Sequence, residues 1–186
     1  MSEIVVDRKY KRLCEFLNDR DFKNADRETH RILLQECHAV HRGWLDKISL
    51  FYIADIDLVI IDRLWENHSR KRFGLSTQTK IFKGIASNHT DYSDEKYLHF
   101  SMLVGWWIPD EYPVGESLFS LNLSKLLDDE RGVWLEYSDL NFSINAPKGH
   151  FPVAQDSEVL FSLISKLEKI YYLQQNTTQI TLKYLF

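Results

Sequence analysis

Asp57-Leu58-x-x-Ile61-Asp62-x-Leu64-Trp65-x-x-x-Ser69-x-x-Arg72-Phe73-Gly74-Leu75-Ser76-x-Gln78 is the stretch that decides the fold. Leu58, Ile61, Leu64 and Trp65 recur at three- and four-residue spacing, which places them on one face of a helix. Phe73, Leu75, Gln78, Ile81, Phe82 and Ile85 make a second such face. Gly74 stands between them, where the chain can turn or two helices can approach closely. The stretch therefore predicts two amphipathic helices and their joint.

Similar signals continue on both sides. Tyr10, Leu13, Phe16 and Leu17 share a face that ends near Asn18-Asp19, and Asp21 is placed to cap a second helix carrying Phe22, Ala25, Thr29, Ile32 and Leu33 as far as about Ala39. A connector at His41-Arg42-Gly43 leads through a short apolar stretch, Trp44 to Ile53, to Asp55, a suitable cap for the next helix. Beyond the joint, Asn88 to Asp91 reads as a loop. Ser93-Asp94-Glu95 opens a helix expected to stop at Gly105.

From Trp106 to Phe151 prolines and glycines interrupt an aromatic-rich segment, so regular structure there must be short, with one brief helix possible over Leu118–Leu127. A loop of that length in a compact domain is functional or disordered, and its aromatic content argues against disorder. Helical spacing returns from Ser157 to Tyr172. Thr177 to Tyr184 alternates polar with apolar residues but has no partner strand, so it is expected to be irregular or a short docking segment. The expected architecture is all-α, with residues 1–155 as a core and 156–186 as a C-terminal helix and tail packed on it.

Composition narrows the function. The 186 residues suffice for one core, and 44% hydrophobic content with 13% aromatic residues describes a folded chain. A net charge of −4 lacks the basic excess of a general nucleic-acid binder. Arg70-Lys71-Arg72 is a local exception: between two helices it reads as a solvated turn, although an acidic ligand could use it. Cys14 and Cys37 have neither metal-knuckle nor redox spacing and are expected as buried thiols. Residues 1–6 lack the pattern of a secretory signal, and no apolar run is long enough to span a bilayer. The expected location is the cytoplasm, or the plastid stroma if the source is an alga.

Catalytic signatures are weak. His38 and His41 are three residues apart without an evident third ligand, and His30, His68, His89 and His99 lie on polar segments expected at the surface. His150, between Pro147 and Pro152 and beside Gly149, suits a role in tying the loop together through hydrogen bonds. The carboxylate pairs sit in capping or solvated settings, and no glycine-rich phosphate loop or Gly-x-Ser-x-Gly elbow occurs. A helical scaffold presenting an aromatic loop suits a large, flat, partly apolar ligand. The chain is expected to bind rather than to catalyse.

The order of motifs resembles that of the GUN4 domain family. Beside the opening stretch stand Asn24-Ala25-Asp26-x-Glu28-Thr29, Val104-Gly105-Trp106, Trp134-Leu135-x-Tyr137, Phe142-Ser143 and Ala146-Pro147-Lys148-Gly149-His150-Phe151-Pro152, and the likeness covers roughly residues 10 to 152. It implies an all-helical domain shaped like a cupped hand, with an apolar cleft for protoporphyrin IX or its magnesium derivative. No cofactor is required. Family members stimulate magnesium chelatase by delivering or releasing porphyrin and contacting its large subunit. Carried over by position, Ile48, Trp65, Glu66, Phe73, Leu75 and Gln78 would lie near the cleft floor, with Trp134, Tyr137 and Phe142 on the loop side. Arg72 and Lys148 would pair with propionates.

This chain has Leu75 where the family has phenylalanine, Glu66 where an apolar residue is usual, Phe142 for a loop tryptophan, and Ile53-Ala54 where a proline is expected. An anionic Glu66 in such a cleft would oppose porphyrin binding unless it turns outward or pairs with Arg70 four residues on. A divergent, core-only member is expected, either a tetrapyrrole-binding regulator or carrier, or a regulatory interaction module that has lost porphyrin.

Overall fold

A computed structural model describes residues 8–85, 93–110, 132–154 and 156–184. The two helices of the deciding stretch are present as α3, Asp55–His68, and α4, Leu75–Ile85. They are preceded by α1, Arg8–Asn18, and α2, Phe22–Glu36, and followed by α5, Asp94–Val104, and α6, Ser157–Tyr184. Asp21 caps α2 by accepting the Asn24 N–H at 3.1 Å, and Ser93 caps α5 by accepting that of Lys96. Ala54, not Asp55, precedes the first helical residue of α3, and Asp55 contributes its charge within the first turn.

Four helices end in the same way. Arg20, His38, Arg70 and Gly105 each adopt a left-handed backbone just past α1, α2, α3 and α5. In each case the next N–H reaches back five residues: Asp21 to Phe16, Ala39 to Leu34, Lys71 to Glu66 and Trp106 to Ser101, all at 2.8–2.9 Å. These are Schellman ends, which satisfy carbonyls the helix leaves unpaired. Glycine is the usual residue at the left-handed position, and only α5 has one.

The main core forms where α2, α3 and the joint meet the 146–152 turn. Phe22, Trp65, Phe73 and Phe151 are fully buried there, Trp65 stacked on Phe151 with ring centroids 5.7 Å apart and Phe73 edge-on to Phe151 at 5.2 Å. Trp65 Nε1 donates to Thr29 Oγ1 at 2.9 Å, so the indole is buried without an orphaned donor. A second cluster gathers Phe82, Phe100, Trp106, Leu160 and Ile164. Among the described residues between Trp106 and Phe151 the regular structure is short. A ribbon pairs β1, Trp107–Pro109, antiparallel with β2, Gly132–Trp134, with Trp107 opposite Trp134. A Cβ on Gly132 would stand 2.0 Å from the Trp107 ring, which explains the glycine.

Three further expectations change. The tail is not irregular, because α6 continues through Tyr184; once packing has nucleated a helix, each further residue adds at propagation cost alone, and β-branched alternation does not outweigh that. His99 is 5% exposed rather than on the surface, since α5 is enclosed on nearly every side. Cys37 is buried, but Cys14 is only partly so. The Leu118–Leu127 helix and the His89 loop lie outside the described residues. Among the described residues no helix is long and apolar enough to cross a membrane.

Candidate functional site

Asp26 lies three and four residues before Thr29 and His30, and Leu33 four and three after them, so α2 turns all four to one side. Facing them are Val159 and Leu163 of α6, Leu75 at the start of α4, Trp44 and Leu45 of the α2–α3 connector, and Tyr137 with Pro152–Ala154 of the loop. Together they enclose a cleft of about 480 Å³, within the range of small-molecule sites. Its floor is aliphatic. Arg27, His30 and Asp156 add charge or hydrogen-bonding capacity.

Asp26 organises the loop wall. One carboxylate oxygen accepts the Val153 N–H at 2.8 Å and the other the Tyr137 hydroxyl at 3.0 Å. Burial pushes this carboxyl up to about 7, although both hydrogen bonds and the nearby Arg27 favour the charged form. Burial, with the neighbouring Asp26 charge, also raises the Tyr137 hydroxyl. The Arg27 guanidinium lies 5.7 Å from the centre of the Tyr137 ring. Desolvation lowers His30 from its ordinary value.

Of the eleven residues expected at the site, the cleft brings together Leu75 and Tyr137. Trp65 and Phe73 stand one layer behind, Trp65 touching the lining through Thr29. Phe142 stacks on Phe151 at 5.4 Å and meets Tyr137 edge-on at 5.2 Å, so it supports the wall. Gln78 is fully buried and donates Nε2 to the carbonyls of Gly149 and Pro152 at 2.9 and 2.7 Å. Trp134 stacks on Tyr97. Ile48 is 71% exposed before the short 3-10 turn Ser49–Phe51, and Lys148 is exposed.

Arg72 borders a different depression, described below. Glu66 faces Arg63 at 3.4 Å and Lys80 at 3.9 Å instead of Arg70, because Arg70 has already left the helix for its left-handed turn. Sequence reasoning missed Asp26, Arg27, His30, Trp44 and the Pro152–Ala154 wall. The spacing of Asp26, Thr29, His30 and Leu33 was the available signal, since it puts polar residues on an otherwise inward-facing side of α2. Among the described residues no group of three His, Cys, Asp or Glu side chains could hold a metal.

Fold and cleft together define a helical domain built around an apolar site of small-molecule size, walled by a hydrogen-bonded loop. The chain belongs to the GUN4-like family, whose model matches residues 4–166 and so reaches ten residues into α6. It is 32% identical over 115 residues to the chloroplastic tetrapyrrole-binding protein of Arabidopsis thaliana, covering 53% of this chain and 43% of the relative. To the uncharacterized protein ycf53 of Pyropia yezoensis it is 33% identical over 109 residues, covering 56% and 43%. The chain thus spans less than half the length of these curated relatives.

The fold is that of GUN4 from Chlamydomonas reinhardtii, with a TM-score of 0.62 at 20% identity over 90% of this chain and 94% of the other. The ligand-free GUN4 of Arabidopsis thaliana gives 0.62 at 24% identity, over 85% and 96%.

Proposed function

We propose that this chain binds a tetrapyrrole in the cleft between α2, α6 and the loop, as a regulator or carrier rather than a catalyst. The observation that carries this is the make-up of the cleft: aliphatic residues Leu33, Leu45, Leu75, Val159 and Leu163 flanked by the rings of Trp44 and Tyr137, with Arg27 and His30 also in the lining. A flat macrocycle with apolar edges and two propionates asks for that combination. Arg27 is the candidate propionate partner. Desolvation lowers His30 and so favours its neutral form, which offers a hydrogen bond. Arg72 and Lys148, expected in the propionate role, do not line the cleft.

Protoporphyrin IX and its magnesium derivative are the ligands the family resemblance points to. The protein can be titrated with deuteroporphyrin IX while tryptophan fluorescence is followed, Trp44 being in the lining. Saturable quenching is expected, with affinity about tenfold weaker in Arg27→Glu. Absence of a saturable signal sinks the proposal.

One observation favours a second role. Ile48, Phe51, Tyr52 and Ile56 cluster around the entry to α3 and are 61–76% exposed. Contiguous exposed apolar groups mark interaction surfaces, and this one suits a protein partner, with the magnesium chelatase large subunit the candidate that the resemblance supplies. A regulatory interaction module without porphyrin would use the same surface. Capture of that subunit by the wild type but not by Phe51→Glu is the expected result, and equal capture by both removes this surface from the account.

A further inference from the structure

In the sequence, Arg70-Lys71-Arg72 leaves open a solvated turn or a site for an acidic ligand. The fold separates the three cations. Lys71 lines the groove between α3, α4 and α6, whereas Arg70 and Arg72 border a depression of about 270 Å³ with Arg20, His68, Ile144 and Asn145. No carboxylate is in that lining, and among the described residues none of the three arginines has an ion pair. Arg72 donates Nη2 to the Ala146 carbonyl at 2.7 Å while its Nε is buried without a partner. His68 Nδ1 is taken up by the Leu64 carbonyl at 2.7 Å, which leaves Nε2 as the ring nitrogen for other contacts.

Backbone chemistry makes the convergence informative. Arg20 and Arg70 occupy left-handed positions with φ of 58° and 53°, where glycine fits a Schellman end better than any residue with a Cβ. The negative ends of α1 and α3 each favour a nearby cation. That attraction requires neither a third arginine nor a shared depression, where like charges repel one another.

We infer that this depression binds a small phosphate-type oxyanion through the guanidinium groups of Arg20, Arg70 and Arg72. Guanidinium forks match the oxygen geometry of such an anion, and its charge relieves their mutual repulsion. The depression shares no lining residue with the cleft, so this inference stands whether or not a tetrapyrrole binds there. Phosphate could arrive free or as an ester on a phosphorylated molecule, and the chemistry of recognition is the same.

The test is to titrate the full chain with inorganic phosphate and, separately, with phosphoserine, at constant ionic strength, following binding by calorimetry or NMR. Saturable binding is expected, weakened about fivefold or more in each of Arg20→Gly and Arg70→Gly. Because glycine suits both positions, the thermal midpoints without ligand should be unchanged or higher. Equal affinity for the two ligands assigns free phosphate, and tighter phosphoserine assigns an ester; either supports the site. No saturable binding of either ligand, or unchanged affinity in both variants, overturns it.

Discussion

The Asp26 carboxylate accepts the Tyr137 hydroxyl at 3.0 Å across a sequence separation of 111 residues, and this bond joins the second helix to the loop that walls the cleft. Its neighbour bond from Val153 makes Asp26 the polar centre of the loop wall. Asp26 itself is buried, 5% exposed, while its two donors are only partly so.

Stability should depend on pH through Asp26. Its ordinary value of 3.8 is raised to about 7 in the folded chain, so between these values only the folded state holds the proton. Stability therefore falls as pH rises through that window and levels off above it, by at most about 4 kcal/mol. Asp57 acts in a lower window with the opposite sign: burial opposes its charge, but hydrogen bonds from Lys9 and Tyr10 hold it below its ordinary value. In Asp26→Asn, thermal midpoints measured from pH 4 to 8 should lose the decline and exceed the wild type at pH 8. A wild-type profile that rises across the window would contradict this assignment.

Tyr137 and Phe142 should differ in their effect on porphyrin. Tyr137 lines the cleft, whereas Phe142 acts through it by an edge-to-face contact, a pairing worth about 0.5–1.5 kcal/mol. In fluorescence titrations with deuteroporphyrin IX, Tyr137→Ala should lose more affinity than Phe142→Ala, and Phe142→Ala should keep the helical circular dichroism of the wild type. Equal affinity in all three proteins would mean that the loop wall does not meet the ligand.

Trp65 is a stability residue. It is 0% exposed, lies against Phe22, Phe73 and Phe151, and has its indole N–H satisfied by Thr29. Urea unfolding of Trp65→Ala should show a loss of about 3–5 kcal/mol, and an unchanged midpoint would place the ring outside the core.

Gln78→Leu replaces a buried amide by a side chain of similar size and strands the Gly149 and Pro152 carbonyls. Leaving buried acceptors unpaired costs about 1–3 kcal/mol each. Chemical denaturation should register a loss of at least that order, accompanied by faster amide exchange at Gly149, if the side chain clamps the loop as the geometry implies.

Most helices were legible because they bury one face, as Leu58, Ile61 and Trp65 show by keeping a period that survives in the sequence, while α5, enclosed on nearly every side, was marked by its ends at Ser93 and Gly105. The joint's aromatic residues were recognisable too, but buried aromatics and ligand-facing aromatics have the same local spacing. Trp65 and Phe73 proved to pack behind the cleft for that reason. What lines the cleft depends on loop residues more than a hundred positions from α2, and Val153 carries no periodic signal that could announce its contact with Asp26. Arg72 was singled out by its place in the Arg72-Phe73-Gly74 motif and by its charge. Its direction is set by Ala146, 74 residues away.

The turn from Ala146 to Pro152 is held from several sides: Gly149 N–H to the Arg72 carbonyl, Gly74 N–H to the Phe151 carbonyl, Trp106 Nε1 to the His150 carbonyl, and the two bonds from Gln78. A wall tied down in this way is already ordered when a ligand arrives, so association forfeits little backbone entropy along that side. The cleft's adaptability is then left to its opposite edge, where exposed Trp44 follows the Gly43 turn. Ligands of one width and different length should be tolerated far better than ligands that would force the two sides apart.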